Sequence, residues 1–140
     1  GGAPPARVQG PLWALRLIAL QVSAVYLWGA VDKLDPSFLA GVRMQHTFFT
    51  FYFAGGVPDS TWWIHGCRLL AWTVVALEFA LAFGLHVPRW QPVLMTAGLL
   101  FHGSLYWLVE VGPFTAIVLC LYLSFVPPDR VRAALARMLD

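Results

Sequence analysis

Apolar residues run through this chain in four long stretches, and the segments between and around them hold most of its proline and acidic residues. The first stretch, Leu12 to Asp32, is long enough for about 30 Å of helix, the thickness of a bilayer's hydrocarbon core. Pro11 stands just before it, where a missing N–H is not needed. The second runs from Trp62 to His86, with Ser60 or Thr61 placed to cap it. A tight hairpin, Pro88 to Pro92, leads into the third, Pro92 to Val111, which Gly112-Pro113 breaks. The fourth, Phe114 to Val126, gives only about 20 Å of helix and must tilt little, thin the bilayer or begin below its surface. The pattern predicts an all-α polytopic membrane bundle of about four transmembrane helices, with spans near 12–32, 62–86, 92–111 and 114–126.

The segments around these spans are of three kinds. Residues 1–11 are rich in Pro and Gly and read as an irregular lead-in. Between the first two spans, Leu34-Asp35-Pro36 stops the helix, because proline disfavours helical geometry in the residue before it. The aromatic cluster from His46 to Phe53 is too short to span and reads as an interfacial or re-entrant segment, ended by turns at Gly55-Gly56 and Pro58-Asp59. After Pro127-Pro128-Asp129, residues 130–139 form an amphipathic tail with Val131, Ala134, Leu135 and Met138 on one side. With no internal repeat, residues 1–140 read as a single transmembrane domain.

Composition strengthens the membrane reading. The chain is 59% hydrophobic and 11% charged, against roughly 25% charged in an average soluble domain. A soluble domain this small could not hide that much apolar surface. The net charge of +2 comes with no basic run or basic-aromatic stripe, so nucleic acid is not a predicted partner; the lipid bilayer is. Cys67 and Cys120 lie in apolar stretches and read as packed thiols. The sequence has no C-x-x-C, H-x-x-x-H or H-E-x-x-H spacing, so a metal site is not predicted. Trp62, Trp63 and Trp90 sit at span ends, as interface anchors do.

Three turns would gather the N-terminus, the hairpin and the tail on one side, with Arg7, Arg89, Arg130, Arg132 and Arg137. Lys33, Arg43, Asp32, Asp35, Asp59 and Glu110 would fall on the other. The positive-inside rule then places a multi-pass protein in the cell (plasma or inner) membrane with both termini cytoplasmic.

An ionisable group inside hydrocarbon is unfavourable unless paired or hydrated, which makes each one a functional candidate. These are Arg16, Arg68, Glu78 and His102, with Lys33 and Glu110 near span ends. Arg16 and Glu78 are predicted at similar depth, close enough for a buried ion pair that clamps two helices or shapes a polar cavity. His102, in mid-span, suits either a hydrogen bond to a neighbouring backbone carbonyl or a ligand contact or proton relay. Lys33 is either a snorkelling lysine beside Asp32 and Asp35, or a buried and partly neutral one able to act as a base.

Two stretches resemble a known family. The run Val25-Tyr26-Leu27-Trp28-Gly29-Ala30-Val31-Asp32-Lys33-Leu34-Asp35, continuing through Phe38 to Gly41, is similar to the signature of the vitamin K-dependent gamma-carboxylases and their bacterial relatives, the horizontally transferred transmembrane (HTTM) domain proteins. The lead-in Pro11-Leu12-Trp13 to Arg16 fits as well. Leu77-Glu78, Phe101-His102, Gly112-Pro113-Phe114 and Phe125 to Pro128 resemble the family's later helices in order and spacing, so the resemblance covers about residues 11–130. It implies that Lys33 matches the base that deprotonates a reduced quinone, whose reaction with oxygen drives glutamate carboxylation, and that His102 matches the family's intramembrane histidine. Asp32 departs from the pattern, since the carboxylases carry a basic neighbour there. A carboxylate favours the charged form of an adjacent lysine and weakens it as a base. The family's preceding helices and its large extramembrane domain are not in this sequence.

Three functional readings follow. The first is a small accessory or structural subunit of a larger membrane complex, packing against other membrane-protein subunits and holding a quinone or lipid. The second is a quinone-dependent carboxylase- or epoxidase-like enzyme with Lys33 as base. The third is a piece of a longer HTTM enzyme.

Overall fold

The computed structural model describes residues 12–52, 60–109 and 112–139. Their regular structure is helical throughout: α1 (Leu12–Asp32), α2 (Pro36–Leu39), α3 (Val42–Tyr52), α4 (Thr61–Gly84), α5 (Gln91–Val109), α6 (Gly112–Leu121), a 3₁₀ segment (Tyr122–Phe125) and α7 (Pro128–Leu139). The lead-in through Pro11, the turns at Gly55-Gly56 and Pro58-Asp59, and Glu110 lie outside the described residues.

Helices α1 and α4 pack against each other and run antiparallel, since Ser23 meets His86 while Lys33 meets Glu78. The buried residues of α1 are Ala19, Val22, Ser23, Tyr26 and Ala30. They recur every three or four positions, which places them on one face of a helix. On α4 the buried face holds Cys67, Ala71, Val75, Glu78 and Ala82. These faces are built largely of small residues, which lets the two backbones approach closely. The large apolar side chains point the other way: Trp28 is 76% exposed and Trp107 81%. Small residues inside and large ones outside suit a bundle whose surroundings are lipid, because a water-soluble monomer rarely leaves such extensive apolar surface uncovered.

Two apolar cores result. The larger joins Val22 and Tyr26 of α1, Leu81 and Leu85 from α4 and its end, and Val118, Tyr122 and Phe125. The smaller joins Phe38 of α2 to Ala71 and Val75 of α4, with Met44 of α3 packed against it. Helix α4 therefore belongs to both. Its C-terminal half faces α1, and its N-terminal half reaches past the end of α1 and is covered by α2 and α3. The aromatic cluster forms much of α3, which at 11 residues is too short to span. Phe48 meets Trp63 edge-on at 5.5 Å between ring centres, and the Tyr52 hydroxyl donates to the Leu108 carbonyl at 3.0 Å.

The number of spans differs from the sequence expectation of four. Among the described residues two helices are long and apolar enough to cross a membrane, Trp13–Asp32 and Thr61–Gly84, or three if the bent pair Gly112–Phe125 and Pro128–Met138 counts as one span. Helix α5 has 19 residues and is not among these candidates. The fourth stretch is divided into α6 and a 3₁₀ segment, and the chain then turns by 108° into α7.

Two smaller expectations also change. Ser60 takes the N-cap position of α4, yet its hydroxyl makes no cap hydrogen bond; its carbonyl accepts from the Trp63 and Ile64 N–H groups instead. Cys67 is buried as expected, whereas Cys120 is exposed on the outside of the bundle. Gln91 closes the hairpin, its amide nitrogen donating to the carbonyls of Phe125 at 2.7 Å and Leu85 at 3.3 Å. Gln91→Leu removes both bonds and is expected to destabilise the fold by about 1–2 kcal/mol. The readout is a lower thermal midpoint in detergent with unchanged helical content.

Candidate functional site

Lys33 closes α1 and turns back along it. Its ammonium donates to Glu78 Oε1 at 3.0 Å and to the Gly29 carbonyl at 3.1 Å. The lysine side chain is 26% exposed and the glutamate 8%, so the pair opens on the lysine's side. Gly29 makes room for it. A Cβ there would stand 3.3 and 3.4 Å from the two carboxylate oxygens and 3.4 Å from the ammonium. Glu78 is thus paired with Lys33, not with Arg16 as its sequence depth suggested. Arg16 lies about 25 Å further down α1, counted at 1.5 Å per residue. Arg68 is also remote, about 15 Å from Glu78 along α4, and lines a surface cavity with His65 and Trp72.

The residues after Lys33 build the corner that brings α4 to the lysine. The Asp35 carboxylate caps α2 by accepting from the Phe38 N–H at 3.1 Å, and Arg43 approaches it at 3.4 Å. The hydrogen bond from the Ser37 hydroxyl, helped by the backbone N–H groups and by Arg43, holds the Asp35 carboxyl below its ordinary range. Phe38 enters the smaller core. Gly41 has φ +82°, and a Cβ on it would stand 2.6 Å from the Arg68 nitrogen and 2.8 Å from the Cys67 carbonyl carbon. Glycine is the residue that fits a left-handed conformation pressed against another backbone. Lys33, Asp35, Phe38 and Gly41 together therefore act as a hinge. Asp32 faces outward and exposed.

Deeper in the bundle, His102 Nε2 lies 2.7 Å from the Tyr26 hydroxyl, which in turn bonds the Tyr122 hydroxyl. All three residues are buried, His102 at 2% exposure. The histidine thus meets a hydroxyl rather than a neighbouring carbonyl. If Tyr122 donates to Tyr26 and Tyr26 to Nε2, both hydroxyl protons are used and the proton of the imidazole sits on Nδ1. The chain can move a proton along its length by reversing its donors. Sequence reasoning singled out His102 but neither tyrosine. The available signal was the spacing of Tyr26, Gly29 and Lys33 on one face of α1. Among the described residues Glu78 Oε2, His102 Nδ1 and Thr115 Oγ1 are buried without a hydrogen-bond partner. The four described cavities are lined by none of Lys33, Glu78, Tyr26 or His102.

Removal of the central hydroxyl should matter more than removal of the terminal one. Tyr26→Phe deprives two partners and is expected to cost about 2 kcal/mol, Tyr122→Phe about 1 kcal/mol. Denaturant titration of both variants in the same detergent checks the order.

A buried hydroxyl–imidazole chain, an intramembrane ion pair and small-residue helix faces define a membrane helix bundle with a polar seam. The chain belongs to the HTTM domain family, whose family model matches residues 5–130. No curated protein and no solved structure gives a match.

Proposed function

We propose that this HTTM-family chain is a non-catalytic accessory subunit of a larger membrane complex. The observation that carries this reading is the double capture of Lys33 by Glu78 and the Gly29 carbonyl. With its ammonium occupied by a carboxylate of α4 and a carbonyl of α1, Lys33 serves as a clamp between the two helices. Asp32 adds a further negative charge beside it. The outward aromatic faces of α1 and α5 supply surface for other membrane-protein subunits as well as for lipid. In this reading the protein is multi-pass in the cell membrane with both termini cytoplasmic, so that Lys33 faces outward. Cross-linking in native membranes followed by purification in mild detergent tests it. Defined membrane-protein partners joined through α1 or α5 are expected; a homogeneous, stable monomer with no cross-linked partner would overturn it.

A second reading, reduced-quinone chemistry at Lys33, draws on the lysine's partial exposure and the unpartnered Glu78 Oε2. It requires quinone turnover by the purified protein that is lost in Lys33→Ala and kept in His86→Ala. Absence of turnover eliminates it.

A further inference from the structure

The end of the bundle opposite Lys33 holds two adjoining cavities that share Leu15, Ser124, Val126 and Pro128 as walls. One is an apolar groove of about 360 Å³ between α1, the 3₁₀ segment and α7, lined by Ile18, Leu121, Leu123 and Val131, with Arg132 among its lining residues. The other, about 290 Å³, is polar and presents Arg16, His86 and Gln91. Among the described residues neither lining contains an acidic residue.

Helix α7 fixes the level of these cavities in a membrane. It turns 108° from the preceding helical segment. With that segment upright, α7 runs across the bundle axis. Leu135 and Met138 on its apolar side are exposed, Met138 at 82%. Val131, Leu135 and Met138 share one face, with Arg132 to one side and Arg130 and Arg137 to the other. A helix of this kind lies in the interface plane with its apolar face turned to the acyl chains and its arginines at the phosphates. Arg132 therefore sits at headgroup level beside an opening that leads down into an apolar groove. Arg16 stands in the adjoining cavity at the same end.

We infer that this end of the protein binds one anionic phospholipid, with an acyl chain along the groove and the phosphate between Arg16 and Arg132. Guanidinium groups pair with phosphate through two parallel hydrogen bonds, and the groove adds the apolar contact that a free phosphate ion cannot use. On α7 Arg130, Arg132 and Arg137 outnumber the acidic Asp129, which favours an anionic over a zwitterionic headgroup. The site is separate from the Lys33–Glu78 pair and stands whether or not the chain is an accessory subunit.

The test is native mass spectrometry of the full chain released from nanodiscs of three parts phosphatidylcholine to one part phosphatidylglycerol. The expected result is one retained phosphatidylglycerol in preference to phosphatidylcholine. The double variant Arg16→Gln/Arg132→Gln should lower that retention more than tenfold, on a scale of about fivefold for each arginine at an anionic surface. Cys120→Trp, at an exposed position that lines the groove, should reduce retention of both lipids. Arg89→Gln, a charge that lines neither cavity, should leave retention unchanged. Equal retention of the two lipids, or no effect of the double variant, would overturn the site. So would no effect of Cys120→Trp, or a loss in Arg89→Gln as large as in the double variant, which would mean diffuse surface attraction instead. Circular dichroism of each variant identifies any that has lost its fold. A variant so lost is replaced by Arg16→Lys/Arg132→Lys, which keeps the charge, gives up the bidentate geometry, and should weaken retention by a smaller factor.

Discussion

Glu78→Leu is expected to destabilise the protein by about 3 kcal/mol, the lower end of the range for breaking a buried ion pair. The carboxylate is nearly enclosed while the ammonium keeps 26% exposure, so the stranded lysine recovers part of its hydration. Lys33→Met strands the more deeply buried partner and should be at least as damaging. The double variant Lys33→Met/Glu78→Leu should regain most of the loss, because no unpaired charge remains and apolar groups of similar size fill the space. Thermal or denaturant unfolding of the wild type, both single variants and the double variant gives the coupling directly. A double variant no more stable than either single one would show that the two residues do not act as a pair.

Gly41→Val should be comparably severe. The left-handed backbone disfavours any side chain by about 1–2 kcal/mol. The added carbon would also overlap the backbone of Cys67 and Arg68, at 2.8 and 2.6 Å, and backbone cannot swing aside as a flexible side chain can. Overpacking adds about 1–3 kcal/mol, for a total of about 2–5 kcal/mol. The damage should be regional. Trypsin should cut after Arg43 in the variant under conditions where the wild type resists. Trypsin resistance at Arg43 equal to that of the wild type would contradict the hinge.

Much of the local structure could be read from the chain. Proline and the alternation of apolar and polar stretches set α1 from Leu12 to Asp32, and α4 begins within a residue of the expected start. The deep placement of His102 was also legible, because a histidine in the middle of an apolar run has nowhere else to be. The partner of Glu78 was not. Depths counted from helix ends assume that the ends are level, and they placed Glu78 beside Arg16. The α2–α3 insertion instead covers the first half of α4 and shifts it along α1, so that Lys33 reaches Glu78 and Ser23 reaches His86. Helix register is decided by contacts such as Gly41 on Cys67, which join residues far apart in sequence and leave no periodic trace. The fate of the fourth apolar stretch was illegible for a different reason: nothing in its composition marks the division into α6 and a 3₁₀ segment, or the 108° turn into α7.

The polar seam also sets a schedule for making the protein. Helix α1 is synthesised before any of its partners, for Glu78, His86, His102 and Tyr122 follow their α1 contacts by 45, 63, 76 and 96 residues. Before these partners emerge, Lys33 of the nascent chain has only the Gly29 carbonyl, and Ser23 and Tyr26 lack their histidines. Release of α1 into bulk lipid is therefore less favourable before these partners emerge than after. A nascent chain exposed only through residue 109 would hold an α1 that can meet Glu78, His86 and His102 but still lacks Tyr122.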